Sequence, residues 1–353
     1  MRKASLVESM RVHARFSSGT HVEALHRGAN VYWEYKPVWT LRRLTTALDD
    51  IPIDRPIFLM GVQGAGLTLL TRMLHRNERV VTIGGGRAFW TGLNEMDKHC
   101  VRPLPDEITL SSPGFQSPTF KDHRGRCEEE HDVFGRERCW IYANDEMIDR
   151  YRKTERDWSP EIESTMKKRI KESLRAYAID LERARFLDMS QTFSLKVPLL
   201  HKIFPDAVFV VQLRDPYVMC WREATGEHGF WNQEPPLDRR LELAAQHWRN
   251  TYRVLSGDLE ALEQDAITIK FENLIADPER ELRRVTTHVQ LDYHNDMVPR
   301  EHHTLPLGSG EAFKWYPIRP DANRKYEEEM TEDARSIIHR ELGGVGERFG
   351  YAR

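Results

Sequence analysis

Cysteine is scarce in this 353-residue chain: there are four, and no two of them form a CxxC. Cys100, Cys127, Cys139 and Cys220 match no zinc-ligand spacing, and they fit a reducing compartment. Long apolar runs are missing as well. None reaches the ~18 residues that a membrane-crossing helix needs, so no transmembrane segment is expected. The N-terminal stretch MRKASLVESMRVHARFSS is basic but lacks the apolar centre of a secretory signal, and a cytoplasmic location is the expectation. Excess basic charge is absent too. Lys plus Arg number 52 against 55 Asp plus Glu, a net charge of 52 − 55 = −3. No global field draws this chain to nucleic acid, so any anion site must be local.

What is present is ordinary globular material with a clear organisation. Apolar residues at 40% and charged residues at 30% suit a soluble domain with a sizeable core. Residues 1–54 read as a polar, partly helical N-terminal extension, with Trp33, Tyr35, Trp39 and Leu41 able to pack on the body. From 55 the pattern turns to strand, loop, helix. Residues 102–158 read as an irregular insertion, dense in Pro, Gly, Ser and charge over 102–135; such stretches in compact domains are usually functional. Residues 159–184 carry a helix signal, with Ser159 as N-cap, Pro160 at the first helical position and apolar residues from Ile162 to Leu181. FLDMSQTFSLKVP (186–198) reads as a strand ending at Lys196. A short helix (199–204) and the buried strand AVFVVQL follow, then Arg214-Asp215-Pro216 and a further helix. A long helix at 238–264, a strand at 267–271, a helix after Asp277-Pro278 and a last helix near 328–342 complete the series. Near-continuous apolar strands alternating with helices predict an α/β fold: one parallel sheet with helices on both faces.

The chemistry starts at RPIFLMGVQGAGLTLLTRMLHRN (55–77). An apolar strand runs into a glycine loop and then a helix, which offers unpaired N–H groups and a positive helix end to a phosphate. Gly61, Gly64 and Gly66 let the backbone approach, and Thr68 adds a hydroxyl. The alternative is a tight turn that binds nothing. An ATP-type loop would need GK[ST] here, and Gly66 is followed by Leu67 and Thr68. LRDPYVMCWREA puts Arg214 at the C-terminal end of a buried parallel strand, where ligands of open α/β sheets gather. Arg222 follows eight residues later. Two guanidiniums there would clamp a phosphate, unless they are spent in surface pairs with Asp206, Asp215 or Glu223.

The glycine loop, FPDAVFVVQLRDP, IKFENLIADPERELRRV and the KWYP loop occur in that order. Together they resemble sulfotransferases that use 3′-phosphoadenosine 5′-phosphosulfate (PAPS), over about residues 55–350, and most of all the bacterial and tyrosylprotein-type branch. The resemblance implies a single P-loop-like α/β domain with an acceptor-side insertion, and no metal. It implies that Gly61, Gln63, Gly64, Ala65, Gly66, Leu67 and Thr68 grip the 5′-phosphosulfate. Arg214 and Arg222 would then hold the 3′-phosphate, and Lys314 and Trp315 belong to a closing lid. The family loop usually reads G-x-P-R/K-S-G-T-T, whereas here Gly64 stands where the basic residue belongs and Leu67 replaces a hydroxyl. Arg222 stands where the family has a serine.

A cation must therefore come from elsewhere. Lys196, before Val197-Pro198, matches the position of an active-site lysine in tyrosylprotein-type members; Lys314 and Arg87 are weaker choices. For the general base the resemblance points to the segment after the first helix, with Glu95 ahead of Asp97 and His99. Phe89 and Trp90 could wall an acceptor, and Ser190, Gln191 and Thr192 could touch nucleotide or acceptor. A glycan, lipid or small-molecule hydroxyl is the expected acceptor, and a homo-oligomer is allowed. Two other readings stay open. One is a protein that binds the nucleotide product PAP without catalysis, suggested by Gly64. The other is a P-loop phosphotransferase, weakened by the missing GK[ST].

Overall fold

The structure is a computed structural model, and it describes residues 39–82, 141–226, 235–298 and 318–351. Five strands form one sheet: β1 (Ile57–Met60), β2 (Val80–Thr82), β3 (Arg185–Asp188), β4 (Val208–Leu213) and β5 (Ala266–Lys270). Their order is β2-β3-β1-β4-β5, and every pairing is parallel. β1 is central, with β3 on one side and β4 on the other. The chain therefore reverses its direction of winding about β1, which makes the crevice at that strand's carboxyl end the ligand position of an open α/β sheet.

Strand alternation divides the core in two. Phe58 and Met60 of β1, with Phe186, Phe209 and Val211, face α2 (Pro160–Tyr177), α3 (Val197–Ile203), α4 (Pro216–Thr225), α5 (Leu237–Ala261) and α9 (Glu332–Leu342). Ile57 and Leu59, with Val208, Val210 and Ile269, face α1 (Leu67–His75), α6 (Phe271–Ala276) and α7 (Pro278–Val289). A further helix, α8 (Arg324–Glu329), precedes α9. Both sheet faces are covered, so β1 and β4 bury every residue; β1 is a continuous apolar run and β4 is apolar but for Gln212. Each fully buried Leu or Phe side chain contributes roughly 2 kcal/mol of transfer free energy.

Three expectations need correction. The helix expected over 159–184 begins as foreseen, with Ser159 Oγ accepting from the Ile162 N–H at 3.3 Å, but it ends at Tyr177. Ala178 is extended, and Arg42 donates to the carbonyls of Ala178 (2.6 Å) and Ile179 (3.0 Å), which turns the chain toward β3. The strand expected over 186–198 stops at Asp188. There the Asp188 carboxylate accepts from the Ser190 N–H at 2.7 Å, and this local turn competes with the ladder. A 3₁₀ turn (Gln191–Leu195) follows, so Lys196 lies between that turn and α3, not at a strand end. Trp39 and Leu41, expected to pack on the body, are largely exposed. Among the described residues of that stretch, Ile51 is buried in the core, and Leu48 and Ile53 pack against it. Among the described residues no helix is long and apolar enough to cross a membrane.

Candidate functional site: the loop after β1 and its arginines

The loop leaves β1 at Gly61 and enters α1 at Leu67. Two ties fix its first turn. The Gly61 N–H donates to Ser194 Oγ at 2.9 Å, and the Val62 N–H donates to Tyr252 Oη at 3.3 Å. Ala65 N–H closes on the Val62 carbonyl at 3.2 Å, and the first N–H taken up by α1 is that of Leu70, bonded to Gly66. The N–H groups of Gly64, Gly66, Leu67 and Thr68 are left without a partner among the described residues. They form an amide-lined tip at a helix N-terminus, the arrangement that receives phosphate oxygens. Glycine is required at two of these positions. Gly64 has φ +81°, and a Cβ there would lie 2.0 Å from Arg222 Nη1. Gly66 has φ +98°, and a Cβ would meet the Phe271 ring at 2.5 Å.

Arg214 follows β4 and is buried, 7% exposed. Its Nη1 donates to the Gly64 carbonyl at 3.0 Å, its Nε donates to Asn323 Oδ1 at 2.9 Å, and its guanidinium lies 4.3 Å from the Phe271 ring centroid. Burial, with the neighbouring Arg222 charge adding to it, lowers its pKa to about 10; Glu272 opposes the shift. Glu272 is the fixed point behind this arginine. It accepts from the Asp215 N–H (3.0 Å), Asn323 Nδ2 (2.8 Å) and Tyr351 Oη (3.0 Å). Arg222 comes from α4. Its Nη1 is buried with no hydrogen-bond partner, as are Gln63 Oε1 in the loop and both side-chain polar atoms of Gln212 in β4. Buried polar groups in folded proteins are nearly always paired, and a ligand at this loop would give these atoms partners.

The predicted loop residues Gly61, Gln63, Gly64, Ala65, Gly66, Leu67 and Thr68 thus meet Arg214 and Arg222 at one crevice. Pairing of Arg214 with Asp206 or Asp215, the competing expectation, gives way to Asn323 and Gly64. Lys196 is half-buried, with Nζ 5.7 Å from the Phe193 ring centroid, two residues beyond the Ser194 that ties Gly61. Arg87, Phe89, Trp90, Glu95, Asp97, His99, Lys314 and Trp315 lie outside the described residues, as do Trp33, Tyr35 and residues 102–140 of the insertion.

The family described as the sulfotransferase family matches residues 56–295. The chain belongs to the sulfotransferase family. It is 26% identical over 169 residues to the omega-hydroxy-beta-dihydromenaquinone-9 sulfotransferase Stf3 of Mycobacterium tuberculosis, covering 46% of this chain and 40% of that relative. The same figures hold for Stf3 of Mycobacterium bovis. The chain thus spans about two fifths of the length of the curated relatives it matches. Among solved structures, the sulfotransferase domain of the Synechococcus PCC 7002 olefin synthase aligns at 15% identity and TM-score 0.45, covering 86% of this chain and 98% of that one. Sulfotransferase STF9 of Mycobacterium avium aligns at 15% identity and TM-score 0.45, covering 86% and 79%.

Several residues around the loop carry no functional reading in the sequence analysis. Ser194 was read as part of a strand. Glu272 stands inside the FENL segment, and Gln212 is the polar residue within an otherwise apolar buried strand; that single break in the run was a readable signal. Asn323 carried none.

Proposed function

We propose that the chain is an enzyme that transfers the sulfuryl group of PAPS to an acceptor hydroxyl. The observation that carries this reading is the convergence, at the end of β1, of uncommitted loop N–H groups with two guanidiniums. The loop would receive the 5′-phosphosulfate and Arg214 the anionic nucleotide beside it. Sulfuryl transfer asks little covalent work of a protein, so positioning and charge stabilisation dominate. The S–O bond to the 5′-phosphate breaks with its electron pair left on the phosphate oxygen. The acceptor oxygen forms the new S–O bond, and its proton passes to a base. Glu95 is the candidate base, and Lys196 the candidate cation on the acceptor side of the loop. The acceptor named for Stf3 is an omega-hydroxylated menaquinone, which favours a lipid or small apolar alcohol over a glycan here.

Calorimetry and turnover test the reading. PAP should bind at least about tenfold tighter than ATP with Mg²⁺, a difference of ~1.4 kcal/mol. Radiolabelled sulfate from PAPS should pass to a hydroxyl in a panel of long-chain alcohols, glycolipids and phenols. Preference for ATP–Mg²⁺ would reject the donor, and tight PAP binding with no transfer to any acceptor would reject the activity.

A further inference from the structure

We infer that Arg222, delivered from α4, supplies the positive charge at the 5′-phosphosulfate that the loop itself lacks, and that it does not belong to the 3′-phosphate clamp. This rests on the reading of PAPS as donor. The loop from Gly61 to Thr68 contains no charged side chain. The space a side chain at position 64 would need is already taken: a Cβ on Gly64 would lie 2.0 Å from Arg222 Nη1, 3.2 Å from Arg222 Cζ and 2.9 Å from Met219 Cε. Glycine at 64 and arginine at 222 are therefore two halves of one arrangement, in which the cation reaches the loop from the neighbouring helix.

The two arginines differ in commitment. Arg214 is held by Asn323 and by the Gly64 carbonyl, and its guanidinium lies against the Phe271 ring. Arg222 Nη1 is sealed against the loop with no hydrogen-bond partner. Its like-charged neighbour Arg214 is near enough to be felt electrostatically. A buried guanidinium nitrogen without a partner, set beside a second positive charge, is costly unless an anion completes it. The loop's uncommitted N–H groups set the place of that anion. When the S–O bond to the 5′-phosphate breaks, its electron pair stays on the phosphate oxygen, and Arg222 neutralises the charge that grows there.

The test compares adenosine 3′,5′-bisphosphate with adenosine 5′-phosphate, alongside PAPS turnover. Arg222→Ala should lower kcat by about 10²–10³, the usual loss for one preorganised charge donor, while the affinity ratio between the two nucleotides stays within about threefold of wild type. Arg222→Lys should recover part of kcat, which a purely structural role would not allow, and melting temperatures verify folding. Arg214→Ala should instead collapse the ratio. If Arg222→Ala collapses the ratio, or leaves kcat unchanged, the assignment falls. If wild-type protein shows no preference for the bisphosphate, it is the PAPS reading that fails. Should Arg222→Ala not fold, Arg222→Gln, with a similar shape and no charge, carries the same two outcomes.

Discussion

Ser194 does work that its residue type does not announce. Its buried hydroxyl accepts the Gly61 N–H at 2.9 Å and stitches the turn after β3 to the first residue of the loop. Ser194→Ala should leave that N–H buried and unpaired, at a cost of about 1–3 kcal/mol. Chemical denaturation would read this loss directly, and PAP affinity should weaken with it, because the loop's entry is no longer fixed. A variant as stable as wild type would show that water or a shifted backbone replaces the hydroxyl. Lys196, two residues on, is the proposed cation on the acceptor side of the loop. Lys196→Ala should reduce kcat by about 10²–10³ and change PAP affinity by no more than a few-fold. Unchanged turnover with a saturating acceptor would remove Lys196 from the reaction.

At the scale of elements, α4 matters most because it carries Arg222. Its first turn is closed by Asp215, whose carboxylate accepts from the N–H groups of Tyr217 (2.8 Å) and Val218 (3.1 Å), while Pro216 presets the first helical φ. Asp215→Ala should cost about 1 kcal/mol of stability and, by loosening the helix that positions Arg222, should lower kcat. Asp215→Ser, which can still cap, should recover most of both; equal losses in the two variants would argue against capping as the cause. The capping role of Asp215 was not read in the sequence, whereas the start of this helix at Asp215-Pro216 was legible there. So were the β1–loop–α1 unit and the parallel sheet, which rest on continuous apolar runs. The turn after β3 was not, because Phe186 and Leu187 continue toward Phe193 and Leu195 as a strand would. The Asp188–Ser190 turn that breaks the strand is held in part by a side-chain hydrogen bond, which no apolar pattern announces. Nor could the Arg214–Asn323–Glu272 network be read, since its members lie 109 and 51 residues apart and no spacing connects them.

For the molecule as a whole, the core has a consequence for stability against pH. His247 of α5 is 4% exposed. Its Nδ1 accepts the Ala143 N–H at 3.1 Å, its ring meets Tyr142 edge-on at 4.7 Å, and its Nε2 has no partner. Burial lowers its pKa to about 3. Between the ordinary histidine value of ~6.5 and that folded value, only the unfolded chain takes up the proton. Stability is therefore intact above pH ~6.5 and lost as pH falls, by up to ~1.4 kcal/mol per pH unit and roughly 2 kcal/mol at pH 5. Glu223 lines the same small cavity between α4 and α5, and burial raises its pKa despite the Arg222 and Arg214 charges. Its sign is the opposite: a carboxyl that is easier to protonate in the fold adds stability as pH falls toward its ordinary value. Thermal melts at pH 7.5 and pH 5 separate the two. His247→Asn, whose side-chain oxygen can still accept from Ala143, should abolish most of the acid loss. Glu223→Gln should enlarge it, because the compensating proton uptake is gone. If both variants follow the wild-type profile, the acid sensitivity arises outside this cavity, and the neutral buried histidine is not what ties the fold to pH.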